Sequence, residues 1–273
     1  MRILVTNDDG ITAPGLKLAE EIAAEIAGPD GEVWVVAPDF ERSGVSHAIS
    51  YTAPMRMTQL GERRYSVDGF PADCVIVGLN VILKDNPPDL VLAGVNQGHN
   101  VAEDVVYSGT AGAAMEGGLC GVRSIALSQF YSAAPDAPDD IWDPTRAWGL
   151  KAVRAVLEMP FAQKSFYSVN FPAVKPEEIR GMTVCPQGIR ANATFEIVPY
   201  KAPNGRDFLF TRHNTANITA PEGTDARLGI DGWVTITPLR PQLTAEDLLD
   251  GARTALGTAL GAAPGATLAA TPG

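Results

Sequence analysis

The feature that most constrains this chain is an alternation in its first part, where short apolar runs of strand character are separated by segments patterned for helices. Residues 3–6 read as a strand, Pro14 stands where a first helical turn tolerates proline, and Leu16, Leu18, Ile22 and Ile26 form an apolar stripe through the helix that follows. Residues 33–37 make a second buried strand, 72–83 a helix and 89–93 a third strand. A helix of small residues over 111–119, a strand over 124–128, a helix near 142–158 and a strand over 165–170 continue the pattern. A helix between successive strands is what a parallel pair needs to cross over, so the expected class is α/β, a mostly parallel sheet with helices on both faces.

Two segments depart from the alternation. Residues 51–60 and 65–68, separated by Gly61-Glu62-Arg63-Arg64, look like a hairpin, and the Ala-, Pro- and Asp-rich stretch 133–140 is a surface loop. From about residue 172 the text changes to short strands and turns, with strands at 195–200, 207–212 and 234–237 and a helix from Thr244. The expected organisation is a body over 1–171, a β-rich extension over 172–260 belonging to the same domain, and a disordered tail over 261–273, which is Ala, Gly, Pro and Thr without periodicity.

Composition narrows the function. A chain of 273 residues that is 45% hydrophobic and 19% charged can bury an ordinary core. Its net charge of -11, with no basic run, repels a long nucleic acid, whose binding needs clustered cations. A small phosphate ester is still admissible, because one cation and a few aimed N–H groups reverse the local field. Cys74, Cys120 and Cys185 are far apart and form no CxxC pair, so they read as reduced core residues. The apolar run at the start is too short for a signal-peptide core, and no stretch approaches a membrane span, so the expected location is the cytoplasm with no membrane partner.

In open α/β sheets ligands bind at the carboxyl ends of strands, and three polar clusters follow apolar strands here. The first is Asn7-Asp8-Asp9-Gly10. Two unit charges ~4 Å apart at an effective dielectric near 20 repel by about 4 kcal/mol, and a hard divalent cation with oxygen ligands offsets this without loss of either charge. The alternative is that Asp8 caps a turn and Asp9 faces solvent. The second cluster runs from Asp39 to His47 and holds Ser43, Ser46 and Arg42, a set that also suits a plain solvated loop. The third joins Asn96, Gly98 and Asn100 to Tyr107-Ser108-Gly109-Thr110 ahead of a helix, where free N–H groups favour an anion, or where Ser108 or Thr110 simply caps the helix.

Together these strings resemble one family, the SurE (survival protein E) nucleotidases. The likeness is carried by Val5-Thr6-Asn7-Asp8-Asp9-Gly10-Ile11 with Ala13-Pro14-Gly15, Val36-Ala37-Pro38-Asp39, Glu41-Arg42-Ser43-Gly44, Pro71-Ala72-Asp73-Cys74-Val75 and Pro88-Asp89-Leu90-Val91. It continues in Gly94-Val95-Asn96-Gln97-Gly98, Tyr107-Ser108-Gly109-Thr110, Ala113-Ala114-Met115-Glu116-Gly117, Gly223-Thr224-Asp225 and Thr237-Pro238-Leu239, in the family's order and over residues 1 to about 250. Phe70 stands where the family usually has Thr, and Ala93 where Ser is common.

The resemblance implies a Rossmann-like three-layer body with a C-terminal extension exchanged between subunits, hence a homodimer or homotetramer. It implies hydrolysis of nucleoside 5′- and 3′-monophosphates with one divalent ion, Mg²⁺ or Mn²⁺, held by Asp8, Asp9, Ser43 and Asn96. Asp8 and Asp9 are then the catalytic acids, and Asn7, Ser108, Gly109 and Thr110 face the substrate phosphate. His47 is either a proton donor to the leaving oxygen or a structural loop histidine. Two rivals are a covalent aspartyl phosphatase, disfavoured by acids that are adjacent, and a nucleotide-binding protein without turnover.

Overall fold

The computed structural model describes residues 1–132, 137–192, 194–214 and 219–259. The apolar runs become strands because burial on both faces rewards them: Ile3, Leu4 and Val5 of β1 (Arg2–Thr6) are wholly buried, each burial contributing about 1.5–3 kcal/mol. After β1 come α1 (Pro14–Ala27), β2 (Glu32–Pro38), β3 (Met57–Gly61), β4 (Arg64–Val67), α2 (Pro71–Val77) and β5 (Leu90–Gln97). Then follow α3 (Asp104–Tyr107), α4 (Gly109–Leu119), β6 (Arg123–Gln129), α5 (Asp143–Leu157), β7 (Phe166–Phe171) and β8 (Gly181–Val184). The last elements are β9 (Thr194–Lys201), β10 (Asp207–Asn214), α6 (Asp225–Ile230), β11 (Trp233–Leu239) and α7 (Glu246–Ala259).

Nine strands form one sheet in the order β3-β4-β2-β1-β5-β6-β7-β11-β8. The six from β4 to β7 are mutually parallel, whereas β3 and the β11–β8 pair run against them. One face is packed by α1 and α5, with Leu16, Ile22, Val153 and Val156 against the sheet, and the other by α2 and α4, with Cys74, Val75, Ala111 and Ala114. This is the expected α/β sandwich of three layers. β1 lies between β2 and β5, so the chain leaves it in opposite directions and opens a crevice at the carboxyl end of β1.

The structure differs from the sequence reading in particular places. The first strand of the hairpin begins at Met57, not residue 51, and β4 pairs in parallel with β2, so the hairpin widens the main sheet at its edge. β5 runs four residues further than expected, to Gln97, through a register shift between Ala93 and Asn96. Cys120 is exposed at the end of α4, unlike the buried Cys74 and Cys185, because it terminates the helix rather than facing the sheet.

Beyond residue 172 the chain does more than append. β8 and β11 belong to the nine-stranded sheet, while β9 and β10 form a separate antiparallel ribbon. By its contacts the chain divides into Met1–Leu239 and Arg240–Gly273, a boundary later than the composition change at 172. The second unit contains α7, an amphipathic helix whose Leu248, Leu249 and Leu256 are exposed. The expected tail, 261–273, and part of the expected loop, 133–136, lie outside the described residues.

Candidate active site

The site is built on the turn that ends β1. Asn7 is fully buried, and its Nδ2 donates to the Gly10 carbonyl at 2.9 Å, closing the turn; its Oδ1 is buried with no partner among the described residues. Asp8, only 3% exposed, faces the start of α4, where the Thr110 hydroxyl donates to Oδ1 and the Thr110 N–H to Oδ2 at 3.1 Å. A Cβ on Gly109 would lie 2.9 Å from Asp8 Cβ, so only glycine lets the helix start come this close. Asp9 is half-buried and its Oδ2 accepts from the Gln97 N–H at 3.1 Å.

Burial raises the Asp8 carboxyl above its ordinary value despite the hydrogen bonds from Thr110. Asp9 is pushed up to about 7, first by burial and then by the charges of Asp8 and Glu41. Among the described residues no basic side chain acts on either carboxylate. Two adjacent acids held away from solvent without a cation are costly, and the α4 start compensates only in part.

Asp8, Ser43, Asn96 and Ser108 line one cavity of about 760 Å³. Asn96 Nδ2 donates to the Gly98 carbonyl at 2.9 Å, which leaves its Oδ1 for another partner. The Ser43 hydroxyl donates to Glu41 Oε1 at 2.9 Å and keeps lone pairs. Ser108 caps α4 by accepting from the Ala111 N–H at 3.0 Å, so its own O–H proton is available to the cavity. Asn7, Gly109 and Thr110 are buried behind this wall: the Gly109 and Thr110 backbone groups are directed at Asp8. Asp9 reaches the cavity wall through Gln97.

The donor atoms fit a hard divalent ion. Two carboxylates, an amide oxygen and a hydroxyl are oxygen ligands of the kind Mg²⁺ and Mn²⁺ accept. Among the described residues no group of three or more His, Cys, Asp or Glu could hold a metal, so a set at this turn would have to draw on neutral oxygens, of which Ser43 and Asn96 offer two on the cavity wall.

Sequence reading missed the far wall of the cavity. Arg190, with its side chain 7% exposed, donates from its backbone N–H and Nε to Glu103 at 2.9 and 2.7 Å and from Nη2 to Asp104. Burial would raise Glu103, but these bonds from Arg190 hold it below the usual carboxylate range. His99 stacks on Phe130 at 4.3 Å and Tyr107 meets Phe195 edge-on at 5.1 Å, giving this side an aromatic lining. Asp225 braces the same wall, accepting from the Ala102, Gly188 and Ala226 N–H groups, and burial raises its carboxyl. No local pattern marks Arg190, since its partners are 86 and 87 residues away.

Of the remaining positions, His47 is outside the cavity lining and its Nε2 is 2.7 Å from Glu116 Oε2. Phe70 is half-buried under the Arg42 guanidinium, 5.6 Å from its ring centroid, and Ala93 is buried within the core.

Comparison with known proteins points to one family. The model of the family described as survival protein SurE matches residues 3–194. The chain is 46% identical over 260 residues to 5′-nucleotidase SurE of Ruegeria pomeroyi, covering 94% of this chain and all of that protein. It is 51% identical over 253 residues to 5′-nucleotidase SurE of Cereibacter sphaeroides, covering 91% and 97%. The crystal structure of the SurE protein from Aquifex aeolicus superposes with a TM-score of 0.76 at 36% identity, over 92% of this chain and 98% of that one.

Proposed function

The chain belongs to the SurE family, and on that premise we propose that it cleaves nucleoside monophosphates with Asp8 and Asp9 holding a divalent ion at the end of β1. The enzyme is a 5′-nucleotidase, a phosphomonoesterase. One observation carries the rest of the reading: a buried and a half-buried carboxylate, adjacent and with no basic partner among the described residues, beside a cavity that Ser43, Asn96 and Ser108 share with Asp8.

A phosphate monoester dianion resists attack, so catalysis depends on neutralising its charge and aligning the nucleophile. Asp8, Asp9, Ser43 and Asn96 would hold the ion, Mg²⁺ or Mn²⁺, which would supply Lewis acidity to the phosphoryl group. Thr110 and Gly109 act through Asp8, fixing its carboxylate. Asn7 holds the turn through Gly10, and its buried Oδ1 has no partner among the described residues. Ser108 donates its hydroxyl proton to a phosphate oxygen. Asp9, held through Oδ2 by Gln97, orients the attacking water with Oδ1 and takes its proton, and the leaving nucleoside oxygen is protonated from solvent water. The aromatic side of the cavity accommodates the nucleoside, and because the phosphate is gripped first, 3′-monophosphates are also cut. A covalent route is disfavoured because the two acids are adjacent rather than separated by one residue, and because both oxygens of Asp8 are held by Thr110.

The ribbon of β9 and β10 exposes Phe195, Ile197 and Leu209 on one face and Tyr200, Phe208 and Phe210 on the other, apolar surface suited to a second copy in a homodimer or homotetramer. Among the described residues no helix is long and apolar enough to cross a membrane, and the proposed site of action is the cytoplasm.

The test is phosphate release from a nucleoside 5′-monophosphate. Release that a chelator abolishes and Mn²⁺ or Mg²⁺ restores supports the reading. Release unchanged after exhaustive chelation removes the metal from it, and turnover of long RNA as fast as of mononucleotides removes the substrate class.

A further inference from the structure

The loop that follows β2 carries Ser43 and crosses the front of the cavity. Its entry is tied down by the Arg42 N–H, which donates to the Asp8 carbonyl at 2.6 Å. Ser43 and Gly44 are then exposed. The exit is gripped from the α3–α4 elbow: the Ser46 N–H donates to the Tyr107 carbonyl at 2.9 Å and its hydroxyl to the Val106 carbonyl at 2.7 Å. The next residue, His47, reaches Glu116 on α4 at 2.7 Å, with both side chains mostly shielded, 27% and 15% exposed.

α4 is suited to this contact. Its first turns are Gly, Thr and Ala, and a Cβ on Gly112 would lie 2.6 Å from the Ser46 carbonyl oxygen, so the loop backbone rests directly on the helix. Glu116 is the helix's one charged residue, and its other oxygen, Oε1, is 3.7 Å from Cys120 Sγ. The same helix holds Asp8 through Thr110 and offers Ser108 to the cavity. One rigid element therefore fixes Asp8 at its first turn and, two turns on, the loop that bears Ser43.

We propose that His47 and Glu116 are positioning residues, a latch that docks the Ser43 loop on α4 and so sets the distance between Ser43 and Asp8. The proposal rests on reading Asp8, Asp9, Ser43 and Asn96 as ligands of a divalent ion. Without the latch the loop keeps its Ser46 anchors but samples more positions, and the ordering cost moves onto the binding of the ion.

The test uses the full chain with His47→Ala, Glu116→Ala, the double variant and His47→Gln, whose amide N–H can still donate to Glu116. Mn²⁺ binding is measured calorimetrically, thermal melting is followed, and hydrogen exchange over residues 43–47 is measured on the metal-free protein. The expected result is Mn²⁺ affinity weakened about tenfold in either Ala variant, equal to ~1.4 kcal/mol, with the double variant no worse and His47→Gln close to wild type. Exchange over 43–47 accelerates in the Ala variants while the melting temperature moves little. Mn²⁺ affinity within twofold of wild type in both Ala variants, or loss that adds in the double variant, overturns the latch. If the wild type binds no Mn²⁺ the metal reading falls instead, and the exchange measurement alone decides: unchanged exchange over 43–47 overturns the latch, and faster exchange upholds it.

Discussion

Thr110 holds Asp8 from two directions, its hydroxyl on one carboxylate oxygen and its backbone N–H on the other. The helix start is thereby committed to the acid, so the position of Asp8 is set before any substrate arrives. Thr110→Val removes the hydroxyl at nearly constant volume and leaves the N–H in place. A hydrogen bond to a charged group contributes about 1.5–3 kcal/mol, so turnover is expected to fall by 10-fold or more. Thr110→Ser, which retains the oxygen, should recover most of it. Equal rates for Val and Ser variants would show that the hydroxyl does not position Asp8.

Charge and packing separate at Asp9. Asp9→Asn keeps the size and one oxygen for the Gln97 N–H while removing a charge that repels Asp8 and Glu41. The variant is expected to lose most phosphatase activity and, in chelator, to melt higher than the wild type. Asp8→Asn should lose activity as well. If Asp8 only capped a turn, its loss would cost about 0.5–2 kcal/mol of stability with little effect on turnover. Full activity in both Asn variants would end the proposal that the acids hold a metal.

Much of this was legible in the sequence because its causes are local. β1 and the apolar stretches inside β2 and β6 are buried on both faces, and stretches of that kind in a strand–helix alternation have one good solution. Asp8, Ser43, Asn96 and Ser108 could be read because each lies in the polar text next to a strand or helix end, where the topology gathers them. What escaped is non-local. Arg190 meets Asp104 across 86 residues with no periodicity to announce it. β8 is four partly exposed residues whose pairing with β11 depends on the finished sheet. Thr110 could be read as a cap or a phosphate contact, and only the approach of α4 to β1 decides that it holds Asp8.

The exposed apolar ribbon makes its own prediction. Leu209 is 71% exposed and Phe210 53%, on a two-stranded sheet with both outer edges unpaired among the described strands. Leu209 and Phe210 point to opposite faces, and a monomer rarely leaves both faces of such a ribbon apolar in water. Light scattering at micromolar concentration should give a dimer or tetramer, and Leu209→Lys with Phe210→Ser should shift it toward monomer without lowering the helix content seen by circular dichroism. A wild type that is only monomer would remove the proposed interface.

The acids also predict how pH and metal act together. Asp9 is raised from 3.8 to about 7 in the metal-free protein, so between those values the folded state binds a proton that the unfolded chain releases. Stability then falls as pH rises through that window, being fully present below 3.8 and lost above about 7, and Asp8, also raised by burial, acts in the same direction. The charges facing Asp9 are those of Asp8 and Glu41, both acidic, so neither opposes the trend. Subtracting the melting temperatures of Asp9→Asn from those of the wild type isolates the group: the difference should grow more negative from pH 5 to pH 8 in chelator. With Mn²⁺ the sign reverses, because the ion competes with the proton for the carboxylate, and the stabilisation it gives should increase over the same range. A wild-type-minus-variant difference that is flat with pH in chelator would mean that Asp9 is solvated and charged throughout, and the electrostatic need for a cation at this turn would disappear with it.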